Sequence, residues 1–356
     1  MSQRVIETLR IGFMPLLDAA PLVTAVRLGF DRRYGLRLQL QRQASWAAVR
    51  EKLISGELHA AHAPAGLAHG VDAGIGGPQA DMAVLLTLNQ NGQAITLSPG
   101  LARGVSEGRA LRELLQAMPR RPIFAQTFPT GTHALWLYYW LAALGADPLT
   151  DIDAITLPPQ QMPAALARCD IDGYCAGEPW ASQAEIDVSG RHVIRSGQLW
   201  PGHPEKVLAC RRDFTIVEPE TCVALAAAVL EACRWLDDPD HRAQAARWLA
   251  EPEFIGLPEA NIAANLLPME GGIEGQPLRF FDDGYVNFPW LSDGEWFRGQ
   301  FRRWGWLDVD SADEDAAHVR TVHQTVLYRE AAQWVGVRAP DGDRRSCRLF
   351  DGTVWS

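Results

Sequence analysis

The sequence predicts an α/β fold of two similar lobes joined by a hinge, with additional helices at the C-terminal end. Three observations carry this. Short apolar runs alternate with helical segments through the first 210 of the 356 residues. Two stretches, SWAAVREKLISGELHAAH from residue 45 and QQMPAALARCDIDGYCAG from residue 160, both run from helix through a small or acidic break into a short strand and a Gly/Pro-rich loop. From Glu218 onward the strand pattern gives way to helices. Residues 1–95 are read as the first part of lobe 1, residues 96–210 as lobe 2, and residues 211–356 as a helical part that completes lobe 1 and adds peripheral elements. Hinges are expected near 88–99 and 176–210.

Taken in order, LRIGFM (9–14) reads as a first buried strand and 20–29 as a helix. Tyr34-Gly35 then turns the chain into a strand over 36–40. Ser45 is placed to cap a helix over 46–55, which Gly56 ends. A short apolar segment, 58–62, follows. In the middle third, 121–126 is a strand, Thr132 is placed to cap a long helix over 133–144, and 154–157 and 171–175 are strands around a helix at 162–168. Residues 221–236 are apolar on every side, which predicts a buried helix. Helices are expected over 240–250, 297–304 and 319–334, an ordered loop over 268–290, and a peripheral tail over 338–356.

Composition narrows the function. With 47% hydrophobic residues the chain can bury a sizeable core, and no apolar run is long enough to span a bilayer. A net charge of −10 argues against direct nucleic-acid binding, which needs clustered basic residues. None of the six cysteines forms a CxxC pair, so neither a zinc site nor another metal site is expected, and all six are read as reduced thiols. Thirteen tryptophans, many toward the C-terminus, are expected to fill a core or an interface. No nucleophile–base pair, metal set or phosphate-cradling GxxxxGK[ST] loop is present, so no catalytic residue, cofactor or enzymatic activity is assigned. The first twenty residues lack a signal-peptide h-region and cleavage site, which gives a cytoplasmic location as the expectation.

Four segments could hold a small anion. Ser45-Trp46 opens a helix, whose free N–H groups suit an anion and whose indole offers a flat wall and a donor. In Leu88-Asn-Gln-Asn-Gly92-Gln93 a polar turn presents a neutral amide, able to bind a weak base at little desolvation cost. Phe128-Pro-Thr-Gly-Thr-His133 opens the second long helix, where the dipole disfavours a charged imidazole but a bound anion would favour it. Gly177-Glu178-Pro-Trp180 is followed by His203-Pro-Glu-Lys206, in which Lys206 supplies the compensating positive charge and Glu178 holds Lys206 or a backbone amide in place. Each segment alone also has an ordinary structural reading, as a cap, a turn, a core histidine or a solvated lysine.

Together, GFMPLLDAAPLVTA, SWAAVREKLISGELHAAH, GIGGP, LNQNGQAIT, THALWLYYWLAALGADP, PPQQM, GYCAGEPW and HPEK resemble the nitrate-binding receptors of ABC importers and their relatives, the bicarbonate-binding receptors and the cytoplasmic NasS-type nitrate/nitrite sensors. The resemblance implies a type II periplasmic-binding-protein fold. It implies that Trp46, Gln93, His133 and Lys206 contact the anion, with Ser45, Gly92, Gly177 and Glu178 lining the pocket. Pro-Pro-Gln160-Gln161 departs from the commoner three-proline run. Nitrate and nitrite are expected over bicarbonate, which carries an O–H donor and would need an inward-facing acceptor. No DxDxDG-like calcium loop of the kind the bicarbonate receptors' metal would suggest is present. By resemblance to the NasS type, the function expected is a sensor that controls a NasT-type ANTAR RNA-binding antiterminator of nitrate-assimilation genes. The alternative is the substrate-binding component of a nitrate or bicarbonate importer, and an enzyme on the same fold is a minor one.

Overall fold

The computed structural model describes residues 7–267, 278–308 and 312–356. The first ten residues of the loop expected over 268–290 lie outside that range. Ten strands form two five-stranded sheets. They are β1 (Glu7–Phe13), β2 (Leu36–Arg42), β3 (Ala60–Pro64), β4 (Met82–Gln90), β5 (Gln93–Leu97), β6 (Ile123–Gln126), β7 (Asp153–Thr156), β8 (Gly173–Gly177), β9 (Arg191–Arg195) and β10 (Pro204–Arg211).

The first sheet has the order β2-β1-β3-β10-β4, and the second β7-β6-β8-β5-β9. In each, four strands share one direction and the remaining one, β10 or β5, runs antiparallel to both neighbours. That reversed strand is the one delivered by the chain as it crosses from the other lobe. The crossings fall between Gln90 and Gln93 and between Arg195 and Pro204. The two stretches compared in the sequence hold equivalent places: each supplies a helix (Trp46–Ile54 or Met162–Ala167) and then the third strand, β3 or β8. In β3 and β8 every residue is buried, as strands covered on both faces require.

Several local expectations hold for physical reasons. Ser45 Oγ accepts from Ala48 N at 3.2 Å, capping the Trp46–Ile54 helix. The Pro219–Trp235 helix is buried from Thr221 to Cys233, because it packs against both the Ala20–Arg27 and the Thr325–Val335 helices. All six cysteines are free. Other expectations are corrected. Thr132 is the first residue of the Thr132–Ala143 helix rather than its cap, which is Gly131. Its hydroxyl reaches across to donate to the Glu205 carbonyl at 3.4 Å. The single helix expected over 319–334 is two, Ala312–Val322 and Thr325–Val335, broken where Gln324 N bonds Val84 O on β4. The tail is not peripheral throughout: Arg345 and Leu349 are buried, and Phe350 N bonds Leu199 O.

Trp136, Trp200 and Trp296 pack ring on ring, with centroids 4.7 to 5.6 Å apart, tying the second long helix to the C-terminal Leu291–Arg303 helix. Among the described residues no helix is long and apolar enough to cross a membrane.

Candidate functional site

The two sheets face each other across the ends that carry the crossings. The carboxyl ends of β1, β3, β6 and β8 meet there with the amino ends of the reversed strands β5 and β10. Crevices at the carboxyl ends of α/β sheets are where such folds bind ligands.

Lys206 sits at the centre, on β10, and is wholly buried. Its Nζ donates to Asp18 Oδ2 at 2.9 Å and also to Glu205 Oε1. Asp18 lies in the turn after β1, and its Oδ1 is 2.6 Å from His62 Nε2 on β3. His62 Nδ1 accepts from Met14 N at 3.4 Å, so Nε2 carries the proton and donates to Asp18. Trp46, at the start of its helix, lies over Lys206 with Nζ 5.6 Å from the ring centroid, and its ring also packs against His62.

The second lobe supplies His133, Gln93 and Gly177. His133 Nδ1 is 2.8 Å from Thr127 Oγ1, just beyond β6, and Nε2 is 3.3 Å from Glu205 Oε1. Gln93 opens β5 opposite Gly177 of β8. Its Oε1 accepts weakly from Cys175 Sγ at 3.6 Å. A side chain on Gly177 would point into the same space: its Cβ would stand 3.6 Å from His133 Nε2 and 3.7 Å from Asp18 Oδ2. Glycine therefore keeps a side chain out of the space between His133 and Asp18. Around it Trp46 Nε1, Gln93 Nε2, His133 Nε2 and Glu205 Oε2 are buried side-chain atoms with no hydrogen-bond partner. A native fold rarely leaves so many in one place.

Burial opposes every charge here, and the partners decide which survive. Asp18 is desolvated, yet Lys206 and His62 hold its carboxyl well below the usual range. Burial raises Glu205 but Lys206 and His133 outweigh it and lower it. Lys206 loses hydration and is still raised, by Asp18 and Glu205. For His62 and His133 burial wins, and both lie below the ordinary imidazole value.

Trp46, Gln93, His133, Lys206 and Gly177 are thus brought to one place, whereas Ser45, Gly92 and Glu178 have other local work. Ser45 is spent on its cap. Gly92 holds a positive φ of 94° at the crossing and accepts from Glu178 N at 2.9 Å. Of the two roles expected for Glu178, holding Lys206 or holding a backbone amide, the structure shows the second. Glu178 accepts from Ser182 N and Ser182 Oγ, each at 2.9 Å, and from Arg195 Nη1 at 3.2 Å.

Asp18, His62, Thr127 and Glu205 were not singled out in the sequence. Adjacent residues of a regular strand face opposite ways, so Glu205 beside Lys206 reads as outward-facing. Irregular register against β4 on both sides of Lys206 lets both residues be buried together.

The pattern of the NMT1-like family matches residues 3–250. The nitrate/nitrite binding protein NrtA of Synechocystis sp. PCC 6803 is 32% identical over 372 residues, covering 98% of this chain and 82% of that protein. The crystal structure of the periplasmic nitrate-binding protein NrtA from the same organism superposes with a TM-score of 0.91 at 31% identity, over 98% of this chain and 95% of that one. The bicarbonate-binding protein CmpA of Synechococcus elongatus PCC 7942 is 31% identical over 383 residues, covering 99% of this chain and 84% of that protein. The nitrate import ATP-binding protein NrtC of Synechocystis is 35% identical over 358 residues, but these are 98% of this chain and only 53% of that protein, so the chain spans about half its length. The two-lobe architecture and the length of these matches agree: the chain has the periplasmic-binding-protein-like fold and belongs to the NMT1-like family, with NrtA and CmpA among its homologues.

Proposed function

We propose that this chain binds a small planar oxoanion, nitrate or nitrite, between its lobes, and serves an importer as its substrate-binding component. The observation that carries this is a set of buried donors gathered with the Lys206 ammonium: Trp46 Nε1 and Gln93 Nε2 have no partner, and His133 Nε2 faces only Glu205 Oε1 at 3.3 Å. A trigonal anion would satisfy those donors, and the flat indole would cover one of its faces. The names of NrtA and its ATP-binding relative point the same way.

Binding and lobe closure are linked. Lys206 and His133 are wholly buried, so an ion reaches them only when the lobes part. Leu17 N bonds Glu178 O at 3.0 Å and Trp180 Nε1 bonds Pro15 O at 2.8 Å, both between lobes. An anion held by both lobes shifts the population toward this closed arrangement. Titration calorimetry of the purified chain with nitrate, nitrite, bicarbonate and sulfate tests the reading. One nitrate or nitrite per chain is expected, and sulfate binding without either would overturn it.

A second reading keeps the pocket and changes the recipient. A cytoplasmic sensor would pass its anion state to an antiterminator of the NasT type. The resemblance of its motifs to NasS-type sensors supports it. Co-purification separates the two: an antiterminator released by nitrate favours the sensor, a permease retained in its presence the importer.

A further inference from the structure

An anion that enters this pocket meets one ammonium and two carboxylates. Lys206, Asp18 and Glu205 are all buried, and the two carboxylates already outweigh the ammonium. Adding nitrate would leave two excess negative charges in a space closed to water, where low effective dielectric makes them costly. Both Asp18 oxygens are engaged, Oδ1 with His62 Nε2 and Oδ2 with Lys206 Nζ. Glu205 differs. Its Oε2 is buried with no partner, and its Oε1 faces His133 Nε2 at 3.3 Å.

We propose that the pocket takes up its anion together with one proton, held by the Glu205–His133 pair. The inference rests on the anion-binding reading above and adds a co-ligand to it. The proton comes from solvent. Placed on His133, it makes an imidazolium that serves both Glu205 and the anion. Placed on Glu205, it makes a carboxyl whose O–H donates to an anion oxygen. Either way the filled pocket carries the same net charge as the empty one.

The other groups that face this pair leave it as the seat of the proton. They are Lys206 on β10, Asp18 in the turn after β1, His62 on β3, Cys175 on β8, and His203 just before β10, with Arg345 behind His203. Burial keeps His62 low and takes His203 down to about 4, and it pushes the Cys175 thiol well up, so all three are neutral near pH 7. Asp18 stays ionised despite its burial, because Lys206 and His62 hold it low. Glu205 is also the inward-facing acceptor that an O–H-bearing ligand would need, and the proton converts it into a donor suited to nitrate.

The test is calorimetric titration of the full chain with sodium nitrate from pH 6 to 9. Imidazole and Tris buffers suit it, because neither offers an oxoanion and their ionisation enthalpies report proton uptake. Above the pair's titration, uptake of about one proton per nitrate is expected, with affinity falling about tenfold per pH unit. Glu205→Gln should bind nitrate with no proton uptake and a flat pH profile. Nitrate binding by the unmodified chain with no proton uptake and constant affinity from pH 6 to 9 overturns the proposal while leaving the anion reading intact. Absence of nitrate, nitrite and bicarbonate binding at every pH overturns both. The proton count on the unmodified chain decides the matter even if Glu205→Gln fails to fold.

Discussion

Arg345 and Asp293 form a buried ion pair with no side-chain atom both buried and unpartnered, whereas several such atoms surround Lys206, Asp18 and Glu205. Arg345 Nη2 and Nε meet Asp293 Oδ2 and Oδ1 at 2.7 and 2.9 Å, a bidentate fork. Arg345 Nη2 also donates to Gly202 O at 2.8 Å, and its backbone N to Ser292 Oγ at 3.1 Å. Around Lys206, by contrast, Glu205 Oε2 and the donors of Trp46, Gln93 and His133 have no partner. Both clusters are closed to solvent, so both bear the desolvation cost of charge. The first recovers it within the fold and fastens the C-terminal tail to the returning crossing. The second recovers it in full only with something added. Unsatisfied buried polarity, rather than burial or charge alone, separates the ligand site from the structural staple.

That contrast breaks most visibly if each cluster is damaged in turn. Asp293→Ala leaves Arg345 buried without its carboxylate. Removing one member of a buried pair costs about 3–5 kcal/mol, so a large fall in melting temperature is expected. Nitrate affinity of the molecules that remain folded should be unchanged. A loss of affinity matching the loss of stability would show that the two clusters are not independent.

Lys206→Met should act the other way round. It removes the ammonium that the anion needs and leaves Asp18 and Glu205 facing each other, so nitrate affinity should fall by about 2–5 kcal/mol, read by calorimetry. The two carboxylates then relieve their repulsion by taking up a proton. The variant should therefore regain stability as the pH is lowered toward 5, where the unmodified chain does not. An unchanged nitrate affinity would remove Lys206 from the pocket.

How far these clusters could be seen beforehand follows from what fixes each residue. Trp46, Gln93, His133 and Lys206 stand at element starts, and a helix or strand start is visible in sequence as a cap, a turn or a glycine. The lobe duplication was legible for a similar reason, because helix, break and strand recur in the same order in both stretches. Asp18 and Glu205 were not legible. Asp18 lies in a short turn whose direction depends on the opposing lobe. Glu205 faces inward only because the register of β10 is irregular on either side of Lys206. The buried tail was missed because Arg345 reads as a surface residue until Asp293, 52 positions away in sequence, is seen beside it.

Gly177→Ala sharpens the comparison with less damage to the fold. Its φ is not among the positive ones, so alanine is tolerated by the backbone. The added Cβ would stand 3.3 Å from Leu16 Cδ2 and 3.6 Å from His133 Nε2, inside the gap between the lobes. Overpacking of this size costs about 1–3 kcal/mol. It should appear as weakened nitrate binding and a lobe closure that is harder to complete, with a smaller effect on melting. Equal affinity in the variant would place the anion elsewhere.

Gln93→Met gives the smallest and cleanest separation of function from stability. The methionine nearly matches the glutamine in shape and brings no hydrogen-bonding nitrogen. The amide it replaces has a buried, unpartnered Nε2, and its Oε1 has only the long Cys175 contact. In the empty pocket that amide contributes desolvation cost and little bonding, so its removal should leave the melting temperature unchanged or raise stability by up to about 1 kcal/mol. In the filled pocket the same amide donates to the anion, and its loss should weaken nitrate binding about tenfold, or about 1.4 kcal/mol. A substitution inside a structural staple cannot raise stability and lower affinity together, because there the polar atoms are already spent on each other. Opposite signs in the two measurements would identify Gln93 as a residue held unsatisfied for the ligand, and a fall in both would return it to the core.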